Sequence, residues 1–228
     1  MREAIEDFAI SESAQRELKS QTAGTSLYAS VGKRIFDIAF ALALVPVVVP
    51  VVSVVWLVAR KDGGPGFFGH KRVGKDGKEF ICWKLRTMVP DAEEVLKDLL
   101  AADPGAAKEW AETHKLRKDP RITRIGRALR KSSLDELPQL WNVLRGDMSF
   151  VGPRPVPRDE LRKYGAAIPA YCSLRPGITG LWQVSGRNDV SYDDRVAMDV
   201  GYASRSNFLL DLWIIIGTVG AVFRRTGH

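Results

Sequence analysis

Apolar positions are concentrated in one part of this chain. From Ile38 to Ala59, twenty-two consecutive residues carry no charge (IAFALALVPVVVPVVSVVWLVA), long enough for a helix to cross a hydrocarbon core of roughly 30 Å. A core helix rarely stays apolar on every face over such a length. A signal peptide does not fit either, because a polar stretch precedes the run and no small-residue cleavage pattern follows it. The run therefore predicts a membrane segment. Pro46 and Pro50 lie inside it, each removing a backbone donor and crowding the carbonyl four residues back, and they are the expected membrane break. Lys33 and Arg34 flank one end while Arg60, Lys61, Lys71 and Arg72 follow the other, so the positive-inside rule selects no direction. Two topologies satisfy these residues: a re-entrant helix that returns to the cytoplasmic face, and a proline-kinked single span.

The rest of the chain alternates shorter patterns. Residues 1–30 are polar, with weak helical spacing at Ile5, Phe8 and Ala9, and read as a lead-in. DGGPG, from Asp62 to Gly66, is a turn cluster. KRVGKDGKEFICWKLRTM predicts a β-hairpin turning at Lys75, Asp76 and Gly77, which places a small sheet near Lys84. From Asp91 to about Leu116 the spacing is helical, with acidic residues at the first turn and Pro104 opening a second helix. Asp91, Glu93 and Glu94 fit dipole complementarity better than chemistry. Leu209–Phe223 is apolar but short for a span and interrupted by Asp211, which suggests a core or interfacial helix with Arg224 and Arg225 reaching headgroups.

Composition narrows the chemistry. A formal charge of +7 and a pI near 9.5 suit an anionic partner. Two cysteines, Cys82 and Cys172, form neither a disulfide framework nor a metal quartet, and three scattered histidines argue against zinc or histidine chemistry. Nucleic-acid binding would explain the charge, but not the membrane run, so it is set aside.

Charge is densest between Asp119 and Pro157. Arg121, Arg124, Arg127, Arg130 and Lys131 precede two adjacent carboxylates, Asp135 and Glu136. Ser133 and Glu136 match a capping box, but Pro138 would then disturb the first turn. A helix beginning nearer Asp135 tolerates Pro138 and sets the carboxylates at a positive dipole end, where ionised carboxylates beside arginines suit phosphoryl attack or Mg2+ binding. GPRP, Gly152–Pro155, presents Arg154 from a stiff extended backbone suited to bidentate phosphate recognition, although a plain surface turn is equally compatible. RPGITGLWQVSGRND predicts a type II turn at Pro176 and Gly177, and a second turn around Arg187 that exposes donors to a nucleotide diphosphate.

Taken together, KRIFDIAFALALVPVVVPVV, WKLRTM, DPRITRIGRALRKSSLDELPQLWNVLRGDMSFVGPRP, RPGITGLWQVSGRND and NFLLDLW resemble the monotopic phosphoglycosyl transferases among the bacterial sugar transferases. The resemblance covers residue 31 to the C-terminus. It implies an α+β, predominantly α fold: a re-entrant membrane helix (31–60) and a cytoplasm-facing catalytic domain (61–228) with amphipathic interfacial helices and a small β-hairpin, at the bacterial inner membrane. The implied reaction transfers a hexose 1-phosphate from a UDP-hexose to undecaprenyl phosphate with release of UMP, at the first step of exopolysaccharide or related glycoconjugate synthesis. Asp135 is implied as nucleophile, with Glu136 supporting it and the Mg2+. Arg72, Lys84, Arg130 and Arg154 are implied for phosphate, and Asp211 as a further metal ligand. The usual Ser-Pro at the membrane break is Val49-Pro50 in this chain. The resemblance leaves room for a homodimer and names no hexose. A non-catalytic membrane scaffold of a polysaccharide assembly complex is the alternative from another class.

Overall fold

The computed structural model describes residues 28–113, 115–185 and 190–223. A π-helical turn, Tyr28–Gly32, leads into helix α1, Lys33–Ala59. The hairpin follows as β1 (Phe67–Val73) and β2 (Glu79–Leu85), then α2 (Ala92–Ala102), α3 (Pro104–Thr113) and α4 (Arg124–Ser132). Next come α5 (Gln139–Arg145), β3 (Ser149–Val151), α6 (Arg158–Leu161), α7 (Ile168–Ser173), β4 (Gly177–Thr179), α8 (Leu181–Ser185), α9 (Tyr192–Arg205) and α10 (Phe208–Phe223). The mostly helical chain with a small hairpin agrees with expectation. The hairpin turns where predicted, with Asp76 and Gly77 at φ 58° and 72°.

The apolar run differs from the expected helix-break-helix, because helical geometry continues through both prolines. Pro46 and Pro50 withhold donors from the carbonyls of Leu42 and Pro46, yet the flanking turns carry the helix past them. Together with its flanking turns it forms one 35-residue helical stretch, Tyr28–Asp62, long and apolar enough to cross a membrane. Only 6 % of its most apolar window is buried within the protein, so Leu42, Val47, Val54 and Leu57 lie exposed.

The described residues fall into two compact units. One gathers those up to Val45, His70–Cys82 and Gln139–Ala221; the other gathers Pro46–Gly69, Trp83–Pro138 and the last turn of α10. The first unit has a core of Val73, Val156, Leu161, Tyr164, Tyr171 and Cys172. Its polar groups are hydrogen-bonded, as burial requires: the Tyr171 hydroxyl donates to the Val73 carbonyl at 2.8 Å, and the Tyr164 hydroxyl to Asp199 at 2.8 Å. Asp199 has no cation beside it among the described residues, and burial pushes its carboxyl up to about 7.

The same unit contains a closed ion pair. Lys33 Nζ meets Asp211 Oδ2 at 2.5 Å, the Tyr28 hydroxyl donates to that oxygen at 2.6 Å, and the Tyr202 hydroxyl donates to Oδ1. Asp211 is 0 % exposed. One helical turn after Lys33, Asp37 accepts from the Ser149 hydroxyl and the Phe150 amide, each at 3.0 Å.

β3 and β4 pair in parallel, Ser149 opposite Gly177 and Val151 opposite Thr179. This replaces the type II turn expected at Pro176-Gly177: the segment is extended, and Gly177 has no positive φ. Glycine is needed there for space. A Cβ on Gly152, Gly177 or Gly180 would lie 2.2–2.4 Å from a facing backbone atom, so main chain packs directly on main chain.

Candidate active site

The adjacent carboxylates sit in the second unit, in a single 3-10 turn, Leu134–Glu136. Helix α4 starts at Thr123, whose hydroxyl accepts from the Gly126 amide at 2.8 Å, and ends at Ser133, which is left-handed at φ 56° and returns its amide to the carbonyls of Arg130 and Leu129. Ser133 is therefore a C-cap, neither the N-cap of a capping box nor the residue before a helix at Asp135. The chain then turns once, with Glu136 N donating to Ser133 O at 3.2 Å, and resumes as α5 only at Gln139. A non-glycine residue at positive φ costs about 1–2 kcal/mol, and in this chain that strain lies two residues before Asp135.

With no long helix beginning at the carboxylates, a side chain supplies the positive charge. Lys84, projecting from β2, places Nζ 2.6 Å from Glu136 Oε1 and 3.9 Å from Asp135 Oδ2. The cluster is half-open: the Lys84 and Glu136 side chains are 31 % and 26 % exposed, that of Asp135 11 %. Burial pulls the Asp135 carboxyl above the usual carboxylate range, and the Glu136 charge adds to this, against the opposing pull of Lys84 and Arg130. A partly desolvated carboxylate beside cations holds fewer waters, which suits a nucleophile.

Among the expected phosphate ligands, Lys84 and Arg130 belong to this unit. Arg130 donates from Nε to the Thr87 hydroxyl at 2.9 Å, and its charge reaches Asp135. Arg72 and Arg154 belong to the other unit. They lie within each other's field: burial, and then the like charge of Arg154, weaken the proton affinity of Arg72. Arg154 is exposed, following the Gly152 backbone contact. Arg187 lies outside the described residues. Asp211, expected as a metal ligand, has both oxygens occupied by Lys33, Tyr28 and Tyr202. Among the described residues no group of three or more His, Cys, Asp or Glu side chains converges.

Two residues of this unit escaped the sequence reading. Arg86 is buried and donates to the carbonyls of Pro65 (2.5 Å), Met88 (2.6 Å) and Ala59 (2.6 Å) and to Asp62. It ties the C-terminal end of α1 to the exit of β2. Thr87, next in WKLRTM, holds Arg130. The only sequence signal for either was their position inside a motif already marked by Lys84.

The chain is similar to known proteins over most of its length. A sequence model described as "Bacterial sugar transferase" matches residues 28–225. The chain is 51 % identical over 195 residues to the "Undecaprenyl-phosphate galactose phosphotransferase" of Salmonella typhimurium and 50 % identical over 195 residues to the "UDP-galactose-lipid carrier transferase" of Erwinia amylovora. Each match covers 86 % of this chain and 41 % of the relative, so the chain spans about two fifths of the length of those two proteins. It is also 50 % identical over 193 residues to the "Exopolysaccharide production protein ExoY" of Sinorhizobium fredii, covering 84 % of this chain and 85 % of that protein.

Proposed function

Because the chain belongs to the bacterial sugar transferase family, we propose that it transfers a hexose 1-phosphate from a UDP-hexose to undecaprenyl phosphate through a covalent aspartyl intermediate. The observation that carries this reading is the half-open cluster in which Lys84 lies 2.6 Å from Glu136 and 3.9 Å from Asp135. A carboxylate oxygen of Asp135 attacks the β-phosphorus. The bond from that phosphorus to the bridging oxygen breaks, and UMP leaves with the oxygen and its electron pair. A phosphate oxygen of undecaprenyl phosphate then attacks the same phosphorus and displaces Asp135, giving a diphosphate-linked lipid. Lys84 holds Glu136 and spreads charge toward Asp135, while Arg130 offers its guanidinium to the transferring group. The names of the relatives, with galactose and undecaprenyl phosphate in them, support the substrate class.

Two neighbouring carboxylates fit Mg2+, which takes one or two from protein and the rest from phosphate and water. Asp135 and Glu136 would hold it, and when bound it would neutralise the donor's diphosphate. The closed environment of Asp211 gives that residue no part in this set.

α1 is proposed to enter and leave the membrane on the cytoplasmic face of the inner membrane. Basic residues at both of its ends support this reading; Pro46 and Pro50 leave carbonyls without donors, though the helix continues past them. Labelling of single cysteines introduced at positions 30 and 64 in intact spheroplasts tests it: both remain protected from an impermeant reagent if the helix returns, and labelling of one alone overturns the proposal.

The reaction is tested with purified full-length protein and UDP-hexose labelled at the β-phosphorus. UMP release and a labelled protein adduct are expected without lipid acceptor, and both should vanish in Asp135→Asn. A labelled adduct on the Asn variant would remove Asp135 from its role. A wild-type chain that consumes no nucleotide sugar even with lipid present would favour the scaffold reading.

A further inference from the structure

Among the described residues, three arginines of the second unit hydrogen-bond to side chains, and they differ in what remains of their charge. Arg121 gives Nε and Nη2 to Asp119 at 2.8 and 2.6 Å and stacks on Trp110. Arg86 is bound by Asp62 and three carbonyls. In both, a carboxylate neutralises the guanidinium. Arg130 is held only at Nε, by the neutral hydroxyl of Thr87. Among the described residues its terminal nitrogens have no hydrogen-bond partner.

We infer that Thr87 is a positioning residue for the transfer reaction: its hydroxyl fixes the plane of the Arg130 guanidinium and leaves both terminal nitrogens for the donor's diphosphate. This rests on the function proposed above. Thr87 is itself rigidly placed. It is 7 % exposed, and its carbonyl accepts from the Thr123 amide at 3.1 Å. A Cβ on Gly126 would lie 2.0 Å from that same carbonyl oxygen, so the backbone of α4 rests directly on Thr87. Gly126 and Arg130 are four residues apart and share a helix face, and a helical side chain slants toward the N-terminus. The arginine stem is thereby laid over the contact, and Nε reaches the hydroxyl. Because a guanidinium is planar, holding Nε orients the edge formed by the two terminal nitrogens, which is the edge that pairs with phosphate in two parallel bonds. A carboxylate in place of Thr87 would orient the group equally well but neutralise it. A hydroxyl orients it and leaves its charge.

The test compares full-length wild type, Thr87→Ser, Thr87→Val, Arg130→Lys and Thr87→Val/Arg130→Lys. Thr87→Val keeps shape and loses the acceptor. It is expected to lower kcat/KM for the UDP-hexose by about tenfold or more with an unchanged unfolding midpoint, while Thr87→Ser retains most activity. In the Arg130→Lys background, Thr87→Val should cost nothing further. Wild-type kinetics in Thr87→Val, or a full additional loss in the double variant, would overturn the inference. A second readout does not depend on turnover. The Arg130 Nε–Hε resonance, assigned by its disappearance in Arg130→Lys, should shift and lose exchange protection in Thr87→Val but not in Thr87→Ser, and inorganic pyrophosphate should bind more weakly to Thr87→Val. An unmoved resonance with unchanged pyrophosphate binding refutes the role of Thr87 even if the enzyme is active. Moved signals in a protein that turns over no nucleotide sugar would instead refute the proposed reaction and leave the positioning intact.

Discussion

Lys33 with Asp211 and Lys84 with Asp135 and Glu136 contain the same chemical groups, one set in each unit, and are built for opposite ends. At Asp211 three donors occupy two oxygens and the aspartate is fully buried. At Asp135 the nearest cation stands off at 3.9 Å, is engaged more closely with Glu136, and remains about a third exposed. A closed pair has exchanged its hydration for fixed partners, so its loss leaves an uncompensated charge or dipole in a low-dielectric interior. A half-open pair keeps room for a third party. The sequence offers a lysine and an aspartate at each site and does not pair them; the count of donors around the carboxylate separates the two.

The contrast can be broken at four places. The largest effect belongs to Asp135→Asn, which should cut transfer on the order of 10^4-fold or more and leave the unfolding midpoint at or above that of wild type, since the substitution removes a charge that burial disfavours. Asp211→Asn should do the reverse in stability, losing about 3–5 kcal/mol in denaturant titration because Lys33 is left buried without its counter-ion. If both variants behaved alike, the distinction between closed and open would fail.

Asp199 sharpens the comparison, since it is buried with a hydroxyl partner and, among the described residues, no cation beside it. Its folded-state value near 7 lies above the ordinary aspartate value of 3.8, so the folded protein binds the extra proton between those two values. Stability therefore falls as pH rises from about 4 to about 7, by at most about 4 kcal/mol, and is flat above. Asp199→Asn should remove that slope, which urea midpoints measured across pH 4–8 would reveal. The smallest stability effect is expected for Lys84→Met, within about 1 kcal/mol, accompanied by a loss of transfer of about 10^2-fold. A large loss of stability there would mean that the open pair is structural after all.

What the sequence made legible was mainly local. The hairpin at Lys75–Gly77, the helix starts near Asp91 and at Pro104, and the apolar run follow from turn chemistry, caps and length, and each stands where expected. The carboxylates could be singled out, but their setting was misread. The Ser133-to-Glu136 spacing has the form of a helix start, whereas the preceding helix uses Ser133 as its end, and no local rule distinguishes a left-handed serine C-cap from an N-cap in advance. Pro176-Gly177 failed for a different reason. Strands of three residues carry no periodicity, and β4 is extended because it pairs with β3, which begins twenty-eight positions earlier. Thr87 was invisible because its part depends on a tertiary contact with Gly126 that neither residue announces.

The glycine seam between β3 and β4 has a consequence for how the protein tolerates change. Arg154 springs from a main chain packed directly on another main chain, two residues past Gly152. Its root is fixed by that contact in addition to the buried Val151, Pro153 and Val156 around it. A single methyl on any of the three glycines has nowhere to go, because the obstacle is peptide, which cannot swing aside as a rotamer can. In this corner of the protein the finest tolerance belongs to residues with no side chain at all.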